Sequence, residues 1–195
     1  MAYEELKSSG ITEKTPQNIV LGAGTIHRGL TCTDGVWNFT ESLIGATSGG
    51  TKISIVPEFK DIEVDGALVK VKGLAVKIGE TATMETNMVE LSADWIKTAI
   101  VGQDGTSTIE GYDVIESKRQ LEEGDYITNF GYIGKKMDGT PIIIIFDYAL
   151  CTSGFSAEGK NKENGVFPAT FECYAELSPE ADILPYHIYT PSATV

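Results

Sequence analysis

Two histidines, three cysteines and one glycine-rich turn are the places where this chain could do chemistry. Val20-Leu21-Gly22-Ala23-Gly24 opens like the loop that cradles a dinucleotide pyrophosphate, where glycines let backbone N–H groups close on phosphate. The third glycine is missing, because His27 stands in its place, and no helical period follows. Glycines of a tight turn describe the segment better. His27 and His187 are isolated from one another, and a lone histidine in a strand-rich chain packs or faces water more often than it binds metal. Cys32, Cys151 and Cys173 form an odd, widely spaced set without CxxC spacing. They predict neither a disulfide framework nor a zinc site, and a reducing compartment suits them.

Other chemical signals are weaker. No GxSxG elbow, HExxH, Walker loop or calcium-loop pattern occurs, and Asp113, Glu116, Glu122, Glu123 and Asp125 read as solvated charges at strand ends. Lys118-Arg119 is too short a basic patch for nucleic acid and has no interleaved aromatics. Asn38-Phe39-Thr40 matches a glycosylation sequon, but MAYEELKSSG has no secretory character, so the match reads as chance. The formal net charge of −13 disfavours general attraction to phosphate or anionic lipid. No catalytic site, metal site or cofactor is expected, and the reading is of a non-enzyme made in the cytoplasm with no membrane span.

The elements implied are mostly strands. Four Asp-Gly pairs, at Asp34, Asp65, Asp104 and Asp138, put positive-φ turn chemistry between apolar runs, the signature of hairpins. Asp138-Gly139 joins the run Tyr126 to Lys135 with Pro141 to Leu150, whose stretch Ile142 to Phe146 is apolar on both faces and must be covered on both. Phe167, Ala169, Phe171, Cys173 and Ala175 alternate with Thr170, Glu172, Tyr174 and Glu176, giving one dry and one wet face. Between Asp61 and Leu91 the chain alternates almost throughout, with Gly73 as a bulge or tight bend that swaps faces. Beyond it Leu74, Val76, Ile78, Ala82, Met84 and Met88 share a face, and Thr81, Thr83, Glu85 and Asn87 line the other.

Only Ala93 to Val101, after the N-cap Ser92 and ending at Gly102, has a convincing helical stripe; Ser178 to Ile183 is a weaker second candidate. Tyr186 to Tyr189 reads as an edge strand. The fold class expected is mainly β, an antiparallel β-sandwich or barrel with one flanking α-helix. Residues 1–17 read as a flexible N-terminal arm, before a first strand at Asn18 to Gly22. Residues 18–195 read as one domain, with a long loop at 31–52 holding a short strand at Val36 to Phe39, and an extended hairpin arm at about 58–78.

Three ordered stretches carry a family likeness: TPQNIVLGAGTIHRGL, SLIGATSGGTKISIVPEFKDIEVDGALVKVKGLAVKIGETATMETNMVELS, and DGTPIIIIFDYALCTSGFSAEGKNKENGVFPATFECYAE followed by PYHIY. Together, over most of Pro16 to Tyr189, the chain resembles the major tail tube proteins of long-tailed phages and phage-like particles of Gram-positive bacteria. The resemblance implies a virion structural protein whose copies form hexameric rings that stack into a hollow tube, with inner sheets joined into a continuous barrel. Double-stranded DNA then passes without specific binding, and the expected partners are the subunit itself, a tape-measure protein, the tail terminator and baseplate or distal tail proteins.

By the same resemblance the hairpin arm reaches an adjacent subunit or the next ring, with Val64, Leu68, Val69 and Val71 as buried contacts. Folding back of that arm onto its own core is the competing expectation. Thr81, Thr83, Glu85 and Asn87 are then candidates for the lumen, though they could equally face the tube's exterior. Two other functions fit the same residues: a different particle component, such as a capsid decoration or baseplate ring protein, or a carbohydrate- or peptide-binding β-sandwich module using Trp37 and Trp95.

Overall fold

The computed structural model describes residues 9–192 apart from 160, 163 and 179–180. In chain order they form a helical turn α1 (Thr15–Asn18), strands β1 (Val20–His27), β2 (Cys32–Thr33), β3 (Val36–Trp37), β4 (Thr47–Asp61) and β5 (Ala75–Met88), then helix α2 (Ala93–Ile100). There follow β6 (Gly102–Gly105), β7 (Val114–Ser117), β8 (Ile127–Lys136), β9 (Pro141–Cys151), β10 (Phe167–Cys173) and β11 (Tyr186–Tyr189). The fold is mainly β, as the alternation predicts, with one substantial helix.

Seven strands make a curled antiparallel sheet in the order β1-β8-β9-β10-β5-β4, with β11 also on β9. β9 is its hub. One edge of β9 pairs with β8 throughout, while the other pairs with β11 over Ile143 to Phe146 and with β10 over Ala149 to Cys151. Residues 42–47 draw the two ends of the sheet together: Arg28 N–H donates to Ser42 O and Ile44 N–H to Ile26 O on one side, and Val89 N–H donates to Ala46 O on the other. A sheet that curls in this way covers its inner face without a second layer.

The inner face supplies Ile26, Met84, Met88, Phe130, Phe146 and Phe171, and α2 adds Trp95 and Ala99 to them. The Phe171 ring lies tilted against Phe130 and Trp95, with centroids 4.1 and 5.8 Å away. On the opposite face of β9, Ile143 and Ile145 pack with Leu30 under Trp37 of the β2–β3 hairpin. The two-sided cover expected of Ile142 to Phe146 is thus present. Gly131 makes room for it, because a Cβ there would stand 2.5 Å from Leu30 Cδ2.

Ser92 caps α2 by accepting from Trp95 N–H at 3.1 Å. The helix ends one residue earlier than its pattern predicts, and its left-handed residue is Val101 (φ 51°), not Gly102. A β-branched residue there is strained. Gly102 serves the β6–β7 pairing instead, since a Cβ on it would meet Glu116 O at 3.1 Å. Asp104-Gly105 is likewise no turn: both residues lie within β6, opposite Ile115 and Val114. Asp34-Gly35 does turn, with φ of 51° and 79°, as does Asp138-Gly139, where Gly139 takes φ 89°.

Several boundaries move. β1 runs on to His27 instead of stopping near Gly22, and Gly22 and Gly24 (φ 83° and 72°) form a bulge inside it, where the register on β8 shifts between Leu21 and Thr25. The expected 31–52 loop shortens because β2 and β3 pair within it and β4 begins at Thr47, accommodating Gly49 and Gly50 at a second register shift. The expected arm at 1–17 lies outside the described residues up to residue 8, and its last part is α1. Of the weaker helical candidate, 179–180 lie outside the described residues, and Ala181 N–H closes a turn on Ser178 O.

Candidate assembly surface

Of the histidines and cysteines, His27, Cys151 and Cys173 are buried and used for packing, whereas Cys32 and His187 are exposed. His27 is buried on β1, with Nδ1 2.9 Å from Ser42 Oγ and Nε2 2.8 Å from Thr25 Oγ1. Because the Ser42 hydroxyl donates to Asn38 O at 2.8 Å, it accepts from Nδ1–H, and Nε2 accepts from Thr25. The ring fastens residues 38–44 to β1, at the junction between the sheet's two ends. Asn38 is committed as well: its amide donates to Gly29 O and its oxygen accepts from Thr31 N–H. Its side chain holds the loop together from within the glycosylation match.

Burial lowers the His27 pKa from its ordinary 6.5, so the fold favours the neutral ring. The unfolded chain takes up that proton more readily, so stability is full above about pH 6.5 and declines as pH falls through the lowered value. We expect Tm to drop between pH 7 and pH 5, and His27→Gln to flatten that part of the profile. The depressed carboxylates Asp125 and Asp138 act lower, below their ordinary 3.8, and leave this window clear. A thermal melt series with equal slopes for both proteins would refute the assignment.

Cys151 and Cys173 are buried and Cys32 is exposed, all three as free thiols. Burial, reinforced by Asp147 and Glu80, pushes the Cys173 thiol up to about 12, which makes it inert at neutral pH. Asp125 is not a solvated charge: it lies 2.6 Å from Lys118 and accepts from Glu122 N–H, completing a capping box. His187 sits 3.2 Å from Asp147. Among the described residues, no three or more His, Cys, Asp or Glu side chains converge as metal ligands. Trp95 is buried against Phe171, and Trp37 packs edge-on to Tyr189 at 5.2 Å, so packing occupies both indoles. No helix among the described residues is long and apolar enough to cross a membrane.

What the molecule leaves uncovered is the β4–β5 hairpin. β10 ends its pairing with β5 at Glu172 opposite Thr83, whereas β4 continues along β5 to Asp61 opposite Ala75. Past Thr81 the ribbon therefore leaves the body of the sheet, and the even-numbered row that is buried at Ala82, Met84 and Met88 is exposed at Val76 and Ile78. Of the six residues expected to share a face, Leu74 lies in the loop before β5, Val76 to Met88 keep the parity, and only Ala82, Met84 and Met88 reach the core.

The tip differs from the expected ribbon too. Residues 62–74 are loop, not strand, with a turn at Asp65-Gly66, where Ala67 N–H donates to Val64 O, and another at Gly73 (φ 94°), where Leu74 N–H donates to Val71 O. Ile62 N–H donates to Leu74 O at 2.7 Å and Lys70 lies 2.6 Å from Asp61, closing the loop's base. Leu68 is 96% exposed, Val69 77%, Val64 52% and Val71 45%, with Phe59 at 64% on the stem. The arm does not fold back on its own core.

All four residues proposed for the lumen share the outward face of β5, Thr81 exposed and Thr83, Glu85 and Asn87 partly so. Beside them stand Lys52 and Ser54 of β4 and Thr170 and Glu172 of β10, and Lys52 pairs with Glu85 at 2.7 Å. The far edge of β4 has no ladder partner among the described residues. Phe59 and Ile62 are further exposed apolar positions on the arm that the sequence reading did not name, and Val76 and Ile78, read there as part of one apolar row, are exposed as well. Counting how far β4 and β5 outrun any third strand is the signal for them. A scan against protein-family models matched none to this chain, and a search of curated proteins found no match.

Proposed function

We propose that this protein is a self-assembling structural subunit of the major tail tube kind, whose copies form rings that stack into a hollow tube of a virion tail. The observation that carries this reading is the projecting hairpin, whose apolar side chains find no cover among the described residues. Each Val or Leu of this kind contributes about 1.5–3 kcal/mol when a neighbour covers it. Exposed apolar surface on a soluble fold marks an interaction site, and an unpaired strand edge such as that of β4 offers backbone groups to another chain.

In this assembly the subunit performs no reaction. The outward face of β4, β5 and β10 lines the bore, where Thr81, Thr83, Glu85, Asn87 and Glu172 offer a hydroxyl-rich, net acidic wall. Such a wall repels phosphate within roughly 8 Å at physiological salt, so duplex DNA passes without sticking. The tape-measure protein lies inside, and terminator and baseplate or distal tail proteins cap the ends.

Negative-stain microscopy of the purified protein, alone and with a preformed tip complex, tests the reading: rings or tubes support it, and isolated subunits under both conditions overturn it. The bore is tested separately. In assembled tubes carrying Cys32→Ser and Thr83→Cys, a small maleimide is expected to label Thr83→Cys, while one coupled to a bulky polymer is not. Equal labelling by both reagents places that face outside.

A further inference from the structure

Where β8 begins and β10 ends, beside β9, the surface carries a groove of about 720 Å³ lined by Tyr126, Thr128, Tyr148, Tyr174, Glu176 and Leu177. Tyr126 and Tyr174 meet edge to face at 5.5 Å, which makes a preformed aromatic wall, and Glu123 and Glu176 add carboxylates to its lining. Leu177 is fully exposed there. Tyr174 and Glu176 continue the outward row of Thr170 and Glu172 past the end of β10, so the groove lies at the margin of the wall assigned to the bore, and none of its lining residues belongs to a buried cluster.

The arm has the complementary features. From Leu68 to Lys72 it reads Leu-Val-Lys-Val-Lys. Among the described residues, 68–70 make no backbone–backbone hydrogen bond and Lys72 has no ion-pair partner. Apolar side chains alternating with cations match an aromatic groove lined with carboxylates, and a lysine beside a tyrosine face adds cation–π attraction. The arm is a knob and the groove a hole, so contact between them joins unlike surfaces of successive copies and can close a ring or extend a stack.

We propose that the hairpin tip of one copy, through Leu68, Val69 and Val71, seats in the groove between Tyr126, Tyr148 and Tyr174 of a second copy. The proposal rests on the self-assembly reading and adds the receiving site to it. Lys72 then faces Glu176 of the receiving copy.

Site-directed cross-linking of the full chain tests it. In a Cys32→Ser background, where the remaining native thiols are buried, Val69→Cys protein is mixed with Thr128→Cys protein and oxidised. A disulfide dimer is expected in the mixture at roughly ten times its yield in either protein alone, since docking raises the effective concentration of the two thiols. Oligomers that form without this excess overturn the receiving site while leaving the tube reading intact. So does a dimer formed mainly by Val69→Cys alone, which means tip-to-tip contact. A chain that never self-associates overturns both. As a second arm, Glu176→Lys is expected to weaken association about tenfold and Lys72→Glu to restore much of it in the double variant; no restoration counts against the pairing.

Discussion

Aspartate at both Val69 and Val71 is expected to leave the subunit folded and to abolish rings and tubes. Both residues lie in the exposed loop of the arm and belong to neither buried cluster. The change should therefore alter unfolding free energy by no more than about 0.5 kcal/mol, the usual range for surface positions without special contacts. In a covered interface the same carboxylates meet apolar or aromatic neighbours, and each uncompensated buried charge costs several kcal/mol. At about 1.4 kcal/mol per factor of ten, the pair should weaken association by at least roughly a hundredfold. Denaturant melts and sedimentation velocity on the same preparation separate the two effects. Intact tubes with an unchanged melt would remove the arm from the interface.

Phe171→Ala should have the opposite signature. Phe171 is fully buried at the centre of β10, opposite Met84 on β5 and Cys151 on β9, and it joins the Phe130 ring to Trp95 of α2. Truncation leaves a void where sheet and helix meet, at a cost of about 3–5 kcal/mol. That is a large share of the roughly 5–15 kcal/mol that holds a typical domain together. At roughly 2–4 °C per kcal/mol, Tm should fall by at least about 6 °C, and Phe171→Leu should fall much less. A loss below about 1 kcal/mol would mean that the helix does not depend on this ring.

How much of this was legible in the sequence follows from which forces act locally. Alternation in β10 and the apolar run of β9 specify strands and faces, because a period of two leaves one arrangement that buries Phe171 and covers both sides of Ile143 to Phe146. Turn chemistry was readable where the glycine of the pair takes positive φ, as at Asp34-Gly35, Asp65-Gly66 and Asp138-Gly139. It misled at Asp104-Gly105, where pairing with β7 outweighed the local preference. The arm was half legible: its turns and apolar content stand in the sequence, but periodicity carries no mark of where the third strand stops. The tyrosine groove was invisible, since Tyr148 lies in β9 while Tyr126 stands just before β8 and Tyr174 just after β10, and only the sheet order brings the three together.

On the assembly proposed above, the kinks in β4 bear on how the protein would stay dispersed beforehand. Gly49 and Gly50 sit at one register break, a second falls between Glu58 and Phe59, and Pro57, which has no amide proton to offer, stands next to that second break. A straight border of this length would template any extended peptide it met, including partly synthesised copies of itself. A border bent twice and missing a donor accepts only a mate of matching contour, so promiscuous fibre growth is discouraged while a shaped neighbour can still dock.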